Sequence, residues 1–102
     1  MMTRLELIQK LAKQQPLLSQ TDVETAVKKM LAFMVDGLAR GERIEIRGFG
    51  TFSLRYRPAI YGRNPKTGER VMISARHVVH FKTGTELKKR VKESADTYKI
   101  TD

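Results

Sequence analysis

One helix in this sequence is apolar around too much of its circumference for a small domain to cover it alone. At 100° per residue, its apolar side chains span an arc of about 200°, whereas a helix lying on one surface needs a stripe of about 100°. Those side chains are Val23, Ala26, Val27, Met30, Leu31, Phe33, Met34, Val35 and Leu38. A chain of 102 residues is one domain by length, so few other elements can bury this helix. We expect a second subunit to bury the remaining apolar surface of this helix. The alternative is a helix that is enclosed within a monomer.

Local signals place this helix second in the chain. Thr3-Arg4-Leu5-Glu6 has the capping-box pattern that opens a helix, and Pro16 ends that first helix near Gln14. Ser19 or Thr21 can cap the second helix. Both helices are predicted to form a helical part that carries the dimer contact.

Charge is distributed unevenly along the chain. Residues 1–42 carry 6 Lys/Arg and 5 Asp/Glu, whereas residues 43–92 carry 13 Lys/Arg and 3 acids, a net charge of +10. Solubility alone requires no such asymmetry, and a strongly basic half is typical of a protein that binds a polyanion. The charge therefore favours a nucleic-acid binder over a purely structural oligomerisation module.

The basic half begins with strands. Segments 44–46 and 52–56 alternate apolar and polar residues at the period of a half-buried strand. Between them, Gly48-Phe49-Gly50 predicts a tight turn with Phe49 in the core. Strand character returns within 71–81, so the basic half is expected to form an antiparallel sheet.

Between these strands the sequence cannot form a core. Within residues 57–70, the apolar side chains that could be buried are limited to Ala59, Ile60 and Tyr61. The segment Asn64-Pro65-Lys66-Thr67-Gly68 has the composition of a turn. The simplest arrangement is two strands that extend past the body, turn at this motif and return; we call this hairpin the arm. Without it, a body of roughly 80 residues is marginal on its own core, which is a second argument for a dimer.

A third helix follows the sheet. Thr83-Gly84-Thr85-Glu86 repeats the capping-box pattern, and Leu87 and Val91 are predicted to face inward. The tail, residues 93–102, is polar and is expected to fray. The predicted divisions of a single domain, 1–102, are a helical dimerisation part at 3–41, the sheet and arm at 42–82, and the C-terminal helix at 83–93.

The sequence contains no catalytic or metal-binding set. Cysteine is absent, which removes disulfides, thiolate zinc sites and thiol nucleophiles together. His77 and His80 face opposite sides of a predicted strand without an acidic cluster to complete a metal site, so polar surface or phosphate contact is their expected role. No apolar run approaches the roughly 18 residues of a membrane span, and the N-terminal residues show no apolar h-region that would mark secretion. We therefore expect a binding protein, not an enzyme, with no cofactor, metal, membrane or small-molecule substrate.

An arm of this composition suits a nucleic-acid groove. A two-stranded ribbon fits the groove of a duplex, and its basic side chains can neutralise phosphates. Pro65 at the tip is rigid and apolar, so it either wedges between base pairs and unstacks one step or only shapes the turn. An RNA-binding or ribosome-associated protein is a rival, but the seven aromatic residues are mostly core-like and offer no stacking platform for single-stranded RNA.

Three motifs together resemble those of a known bacterial family. They are Gly-Phe-Gly at 48–50, Gly-Arg-Asn-Pro-Lys-Thr-Gly at 62–68 and Phe-Lys-x-Gly-x-x-Leu at 81–87. Over residues 3–92 the chain is similar to the histone-like family of HU and integration host factor. The segment Glu42–Gly50 resembles the beta-type chains of integration host factor in particular.

The resemblance implies an α+β fold in which two chains intertwine. Such a dimer has a helical base, a three-stranded antiparallel sheet that extends into a β-ribbon arm, and a short C-terminal helix. The two arms would wrap double-stranded DNA in the minor groove. Thr83 replaces the usual Pro of the third motif, where a threonine can cap the helix, and Val79 suits a paired strand better than the Pro of many members. Ile60 and Tyr61 replace residues that are often polar, which favours contact with sugars there.

The resemblance also assigns roles to residues. Pro65 would be the intercalating wedge, Glu45 and Arg47 would contact bases or sugars near a preferred site, and backbone N–H groups near Thr3 and Gly84 would hold phosphates. The full predicted DNA-binding set is Arg43, Glu45, Arg47, Arg57, Arg63, Asn64, Pro65, Lys66, Arg70, Arg76, Lys82 and Gly84.

The function implied is sequence-preferring DNA bending in the cytoplasm, at the nucleoid. It would serve recombination, replication, transcription and nucleoid organisation. The active form would be a homodimer or a heterodimer with a related alpha-type subunit. The alternative is an HU-type homodimer that compacts DNA without sequence preference.

Overall fold

The computed structural model describes residues 1–99. Its contacts divide the chain into two compact units, Met1–Asp36 and the part from Gly37 onward, and each is described separately. In the described residues, no helix is both long and apolar enough to cross a membrane. The elements are α1 (Arg4–Gln14), α2 (Gln20–Ala39), β1 (Ile44–Ile46), β2 (Gly50–Arg57), β3 (Ile60–Arg63), β4 (Arg70–Ile73), β5 (Arg76–Thr83) and α3 (Thr85–Ser94).

Both helices of the first unit begin at a hydroxyl cap. The Thr3 Oγ1 accepts a hydrogen bond from the Glu6 N–H at 3.2 Å, and α1 ends at Gln14 as predicted. The Ser19 Oγ accepts from the Asp22 N–H at 3.1 Å, so Ser19 is the cap of α2, and Thr21 already lies inside the helix. Each hydroxyl satisfies one of the amides that a helix start leaves without a partner.

The core of the first unit is small. Ile8, Val23 and Val27 are buried together, and Leu11 and Ala12 pack against them. Most of the predicted apolar arc of α2 remains exposed, with Phe33 72% accessible. Other large exposed side chains of the same arc are Met30, Leu31 and Val35. The excess apolar surface predicted for this helix is therefore present in the structure.

The second unit contains a three-stranded antiparallel sheet in the order β1-β2-β5, which confirms the predicted α+β class. Ile44 pairs with Phe52, and Phe52 pairs in turn with Phe81. The rings of Phe52 and Phe81 pack in a tilted arrangement, at 44° to each other, with centroids 4.6 Å apart. Because directly opposite residues of an antiparallel pair share a face, these side chains form one apolar face.

The turn between β1 and β2 is built as predicted, but Phe49 is not in the core. Gly48 has a φ of +83°, and the Phe49 N–H donates to the Ile46 carbonyl at 3.0 Å. The Phe49 ring lies 5.3 Å from the Phe81 ring and is still 44% exposed, because the turn holds it at the edge of the sheet. Gly50 is required by close packing, since a Cβ there would lie 2.5 Å from the Phe81 ring.

The arm is a two-stranded ribbon formed by β3, β4 and the turn that joins them. It is not the uninterrupted extension that the sequence suggested, because pairing stops after Arg57↔Arg76 and resumes at Ile60↔Ile73. Two residues are skipped on each strand, so the register is preserved across the interruption. Pro58, which lies in the gap, has no N–H to donate to a ladder.

The start of α3 differs from the prediction. Thr83 is the last residue of β5, where it pairs with Gly50, and the cap is Gly84 without a side-chain hydrogen bond. Strand pairing therefore replaces the expected threonine cap, and the helix begins two residues later than predicted.

Val91 was expected to face inward but is 53% exposed, since nothing in its own unit covers it. The predicted frayed tail is described only to residue 99, and residues 100–102 lie outside the described residues.

Candidate nucleic-acid interface

Strand register places the cations of the sheet on the face opposite the aromatic rings. In the β2–β5 ladder, Thr51 pairs with Lys82, Ser53 with His80, Arg55 with Val78 and Arg57 with Arg76. Opposite residues share a face and neighbouring residues alternate. One face of the sheet is thus apolar, and the other carries three arginines and a lysine.

Arg55 belongs to this cationic face although the sequence-based set omitted it. It lies two residues before Arg57 on the same strand, and the period of two along β2 was the signal that could have identified it.

The two histidines are divided between the faces, as their spacing predicted. His77 pairs with Tyr56, its ring 5.4 Å from the tyrosine ring, while the half-buried His80 lies on the cationic face.

The turn at the tip of the arm forms at the predicted motif. The Asn64 N–H donates to the Glu69 carbonyl at 2.8 Å, and the Gly68 N–H donates to the Asn64 carbonyl at 2.7 Å. The Asn64 Oδ1 also accepts from the Lys66 N–H at 2.9 Å. Gly68 has a φ of +73°, which an L side chain rarely adopts. These bonds hold Pro65 exposed at the apex.

The arm carries two of the predicted arginines on one face. Arg63 pairs with Arg70, and Tyr61 with Met72. The Arg63 Nη1 donates to the Gly68 carbonyl at 3.1 Å, and the Arg70 guanidinium lies 4.3 Å above the Tyr61 ring. In residues 1–99, no carboxylate forms an ion pair with either arginine. Both positive charges are therefore available to an anionic partner.

A second group of predicted residues surrounds the turn between β1 and β2. Glu45 and Arg47 line a shallow cavity of about 350 Å³ together with Gly84 and Glu86. Glu45 pairs with Thr51, which pairs in turn with Lys82, so these side chains form one row across the cationic face.

Gly84 and Arg43 complete the predicted set, and their surroundings differ from those of the residues above. The Gly84 N–H donates to the Phe49 carbonyl at 2.8 Å, so that amide is already occupied; the amides after it begin α3. A Cβ at Gly84 would also approach the Phe49 backbone to 3.3 Å. Arg43 precedes β1 and is exposed, but it is outside the groups described above.

The site has the chemistry of a polyanion binder. In the part of the chain that the structure describes, no three His, Cys, Asp or Glu side chains come together as metal ligands. A sheet with one cationic face, continued by an exposed ribbon tipped with proline, is the architecture typical of β-ribbon proteins that bind nucleic acid.

The family is shown by comparison with known proteins. A family model described as bacterial DNA-binding protein matches residues 2–92, and the chain belongs to that family. It is 60% identical over 93 residues to integration host factor subunit beta of Halorhodospira halophila, covering 91% of each chain. It is 56% identical over 95 residues to the same subunit of Methylococcus capsulatus, covering 93% of this chain and 100% of that one. The resemblance inferred from the motifs is confirmed.

The fold comparison agrees with the family. The structure of an Anabaena HU–DNA cocrystal matches with a TM-score of 0.82 at 29% sequence identity. The match covers 88% of this chain and 97% of that chain.

Proposed function

We propose that this protein bends duplex DNA as an architectural factor of the integration host factor type. Membership of the bacterial DNA-binding family supports DNA as the polyanion. Relatives at 56–60% identity are integration host factor beta subunits, whereas the HU structure is 29% identical. This difference favours the sequence-preferring type over the HU-type alternative.

The observation that carries the proposal is the exposed Pro65 at the apex of a hydrogen-bonded turn on an arginine-bearing ribbon. Smooth bending of a short site costs on the order of 1–6 kcal/mol. A proline wedge at each of two arms concentrates the strain in two base steps. The bent duplex then meets more cations, and the release of counterions from its phosphates offsets the cost.

The predicted residues take different roles in this mechanism. Arg63, Asn64 and Lys66 flank the Pro65 wedge in the minor groove, and Asn64 does so while it also closes the turn. Glu45 and Arg47 contact bases or sugars near the preferred site. Phosphate contacts come from Arg43, Arg55, Arg57, Arg70, Arg76, Lys82 and the amides that follow Gly84.

The proposed active form is a dimer, because one arm supplies only one wedge. The exposed apolar arc of α2 supports a subunit contact through this helix. The partner is a second copy or a related alpha-type subunit. The complex would act in the cytoplasm at the nucleoid, in recombination, replication and transcription, and it carries out no covalent chemistry.

Fluorescence transfer across an end-labelled AT-rich duplex tests the wedge. Wild-type protein at saturation should bring the two ends together, and Pro65→Ala should reduce the bend more than it reduces affinity, since the cations remain. Thr67→Ser, which alters the same turn away from the apex and retains the hydroxyl that accepts from the Glu69 N–H, is the matched control and should retain the bend. A duplex that stays straight at saturation contradicts the proposed function, and full bending by Pro65→Ala contradicts the wedge alone.

A further inference from the structure

Two arginines lie directly opposite each other in the arm, which is a costly arrangement for a ribbon with no core of its own. Arg63 pairs with Arg70, and like charges directly opposite each other destabilise an antiparallel pair. Since no carboxylate within residues 1–99 forms an ion pair with either guanidinium, their repulsion must be relieved in another way.

The structure separates the two guanidinium groups along the strand direction. The Arg63 Nη1 reaches toward the tip and donates to the Gly68 carbonyl at 3.1 Å. The Arg70 Cζ lies toward the base of the arm, 4.3 Å from the centroid of the Tyr61 ring. Tyr61 pairs with Met72, so Tyr61 and Arg70 are diagonal neighbours on one face, within reach of each other. The negative face of an aromatic ring attracts a cation held over it.

We propose that Tyr61 is a positioning residue that holds the Arg70 guanidinium over its ring and away from Arg63. The arm then meets the minor groove with two separated cations already in place. Without the ring, the long Arg70 side chain would lose more rotamer freedom on binding, and its charge would approach that of Arg63. This inference rests on the proposed DNA-bending function and adds a determinant of affinity to it.

A second pair of opposed arginines shows the difference that the ring makes. Arg57 pairs with Arg76 at the end of the β2–β5 ladder. Neither guanidinium has a hydrogen bond, ion pair or aromatic ring as partner within the described residues. Both line an open cavity of about 490 Å³. The pair at the base of the arm thus remains open to a phosphate, whereas the pair near the tip is held apart by groups of the arm itself.

Nuclear magnetic resonance of the free protein tests the positioning directly. The ring current of Tyr61 should shift the side-chain methylene protons of Arg70 upfield. The shift should persist in Tyr61→Phe, which retains the ring, and disappear in Tyr61→Leu, which retains an apolar side chain. Met72→Leu, opposite Tyr61 on the same face, is the matched control and should keep the shift. Absence of the shift in wild-type protein overturns the proposal.

Affinity for an AT-rich duplex, measured by fluorescence anisotropy at low salt, tests the consequence. Tyr61→Leu should bind about two- to fivefold more weakly, as expected for an exposed cation–π pair, and Tyr61→Phe should restore the affinity. In an Arg70→Gln background, Tyr61→Leu should have no further effect. Unchanged affinity of Tyr61→Leu, or an equal loss in both backgrounds, overturns the positioning role. A duplex that stays straight with saturating wild-type protein refutes the proposed function separately.

Discussion

Arg47 is exposed in the turn after β1, beside the row that Glu45 forms with Lys82 across the cationic face. A contact that a guanidinium in this position makes only with the preferred site adds to discrimination, and one mismatched base pair in a site typically costs about 1–3 kcal/mol. We therefore expect Arg47→Ala to reduce the ratio of affinities for a preferred AT-rich site and a random duplex by roughly tenfold. Competition binding with the two duplexes measures this ratio.

Arg43 provides the control for this prediction. It is exposed just before β1 and is proposed to contact phosphates. Arg43→Ala should weaken binding to both duplexes by the same factor, because a phosphate contact carries no sequence information. If Arg47→Ala also weakens both equally, its role in specificity is wrong.

Single residues were predictable where their local chemistry decides their position. Asn64 and Gly68 close the turn with their own backbone and side-chain groups, and the sequence motif is sufficient to predict this. Phe49 and Val91 were wrongly expected to be buried, because burial depends on neighbours that are distant in sequence. Arg55 was missed although the period of two along β2 places it on the same face as Arg57.

Helix α2 depends on its first turn, where the sequence left two candidate caps. The Ser19 Oγ accepts the Asp22 N–H, so Ser19→Ala should lower the free energy of unfolding by about 1 kcal/mol. Thr21→Ala should change it little, since Thr21 is exposed within the helix. Urea unfolding at a fixed protein concentration measures both. A larger loss for Thr21→Ala would mean that the helix begins elsewhere.

The elements themselves were predicted more completely than their junctions. Hydroxyl caps and Pro16 gave the bounds of α1, and the period of two located the strands of the sheet. The start of α3 was misplaced because two local preferences competed. Thr83 can cap a helix, but here it pairs with Gly50 at the end of β5. A local sequence pattern does not show whether a residue will cap a helix or pair with a strand that is distant in sequence.

The cations of the second unit, taken together, predict a steep dependence of DNA binding on salt. Each neutralised phosphate releases condensed counterions, so the logarithm of affinity falls linearly with that of salt. With about six phosphate contacts or more, affinity should fall at least roughly 10³-fold between about 50 and 200 mM salt. Anisotropy titrations over this range give the slope. A nearly flat response would refute wrapping of the phosphate backbone.

The assembly of two chains is predicted to depend on the exposed apolar arc of α2. Phe33, which is 72% accessible in the single chain, should be buried in the dimer, so Phe33→Asp should shift the protein to monomers at micromolar concentration. Sedimentation equilibrium measures this. Thr25→Asp adds the same charge opposite the centre of the apolar arc and should leave the dimer intact. A wild-type chain that sediments as a monomer, alone and with an alpha-type partner, would contradict the proposed assembly.

The unpaired residues between the sheet and the arm affect how Pro65 reaches the DNA. No backbone hydrogen bond joins Pro58–Ala59 to Ser74–Ala75 in residues 1–99. A change of angle at this joint breaks no bond of either ladder. The strands keep the same register on both sides of the joint. The arm can therefore change its angle to the sheet to fit duplexes of different curvature, while the side chains at the tip keep their positions relative to Pro65.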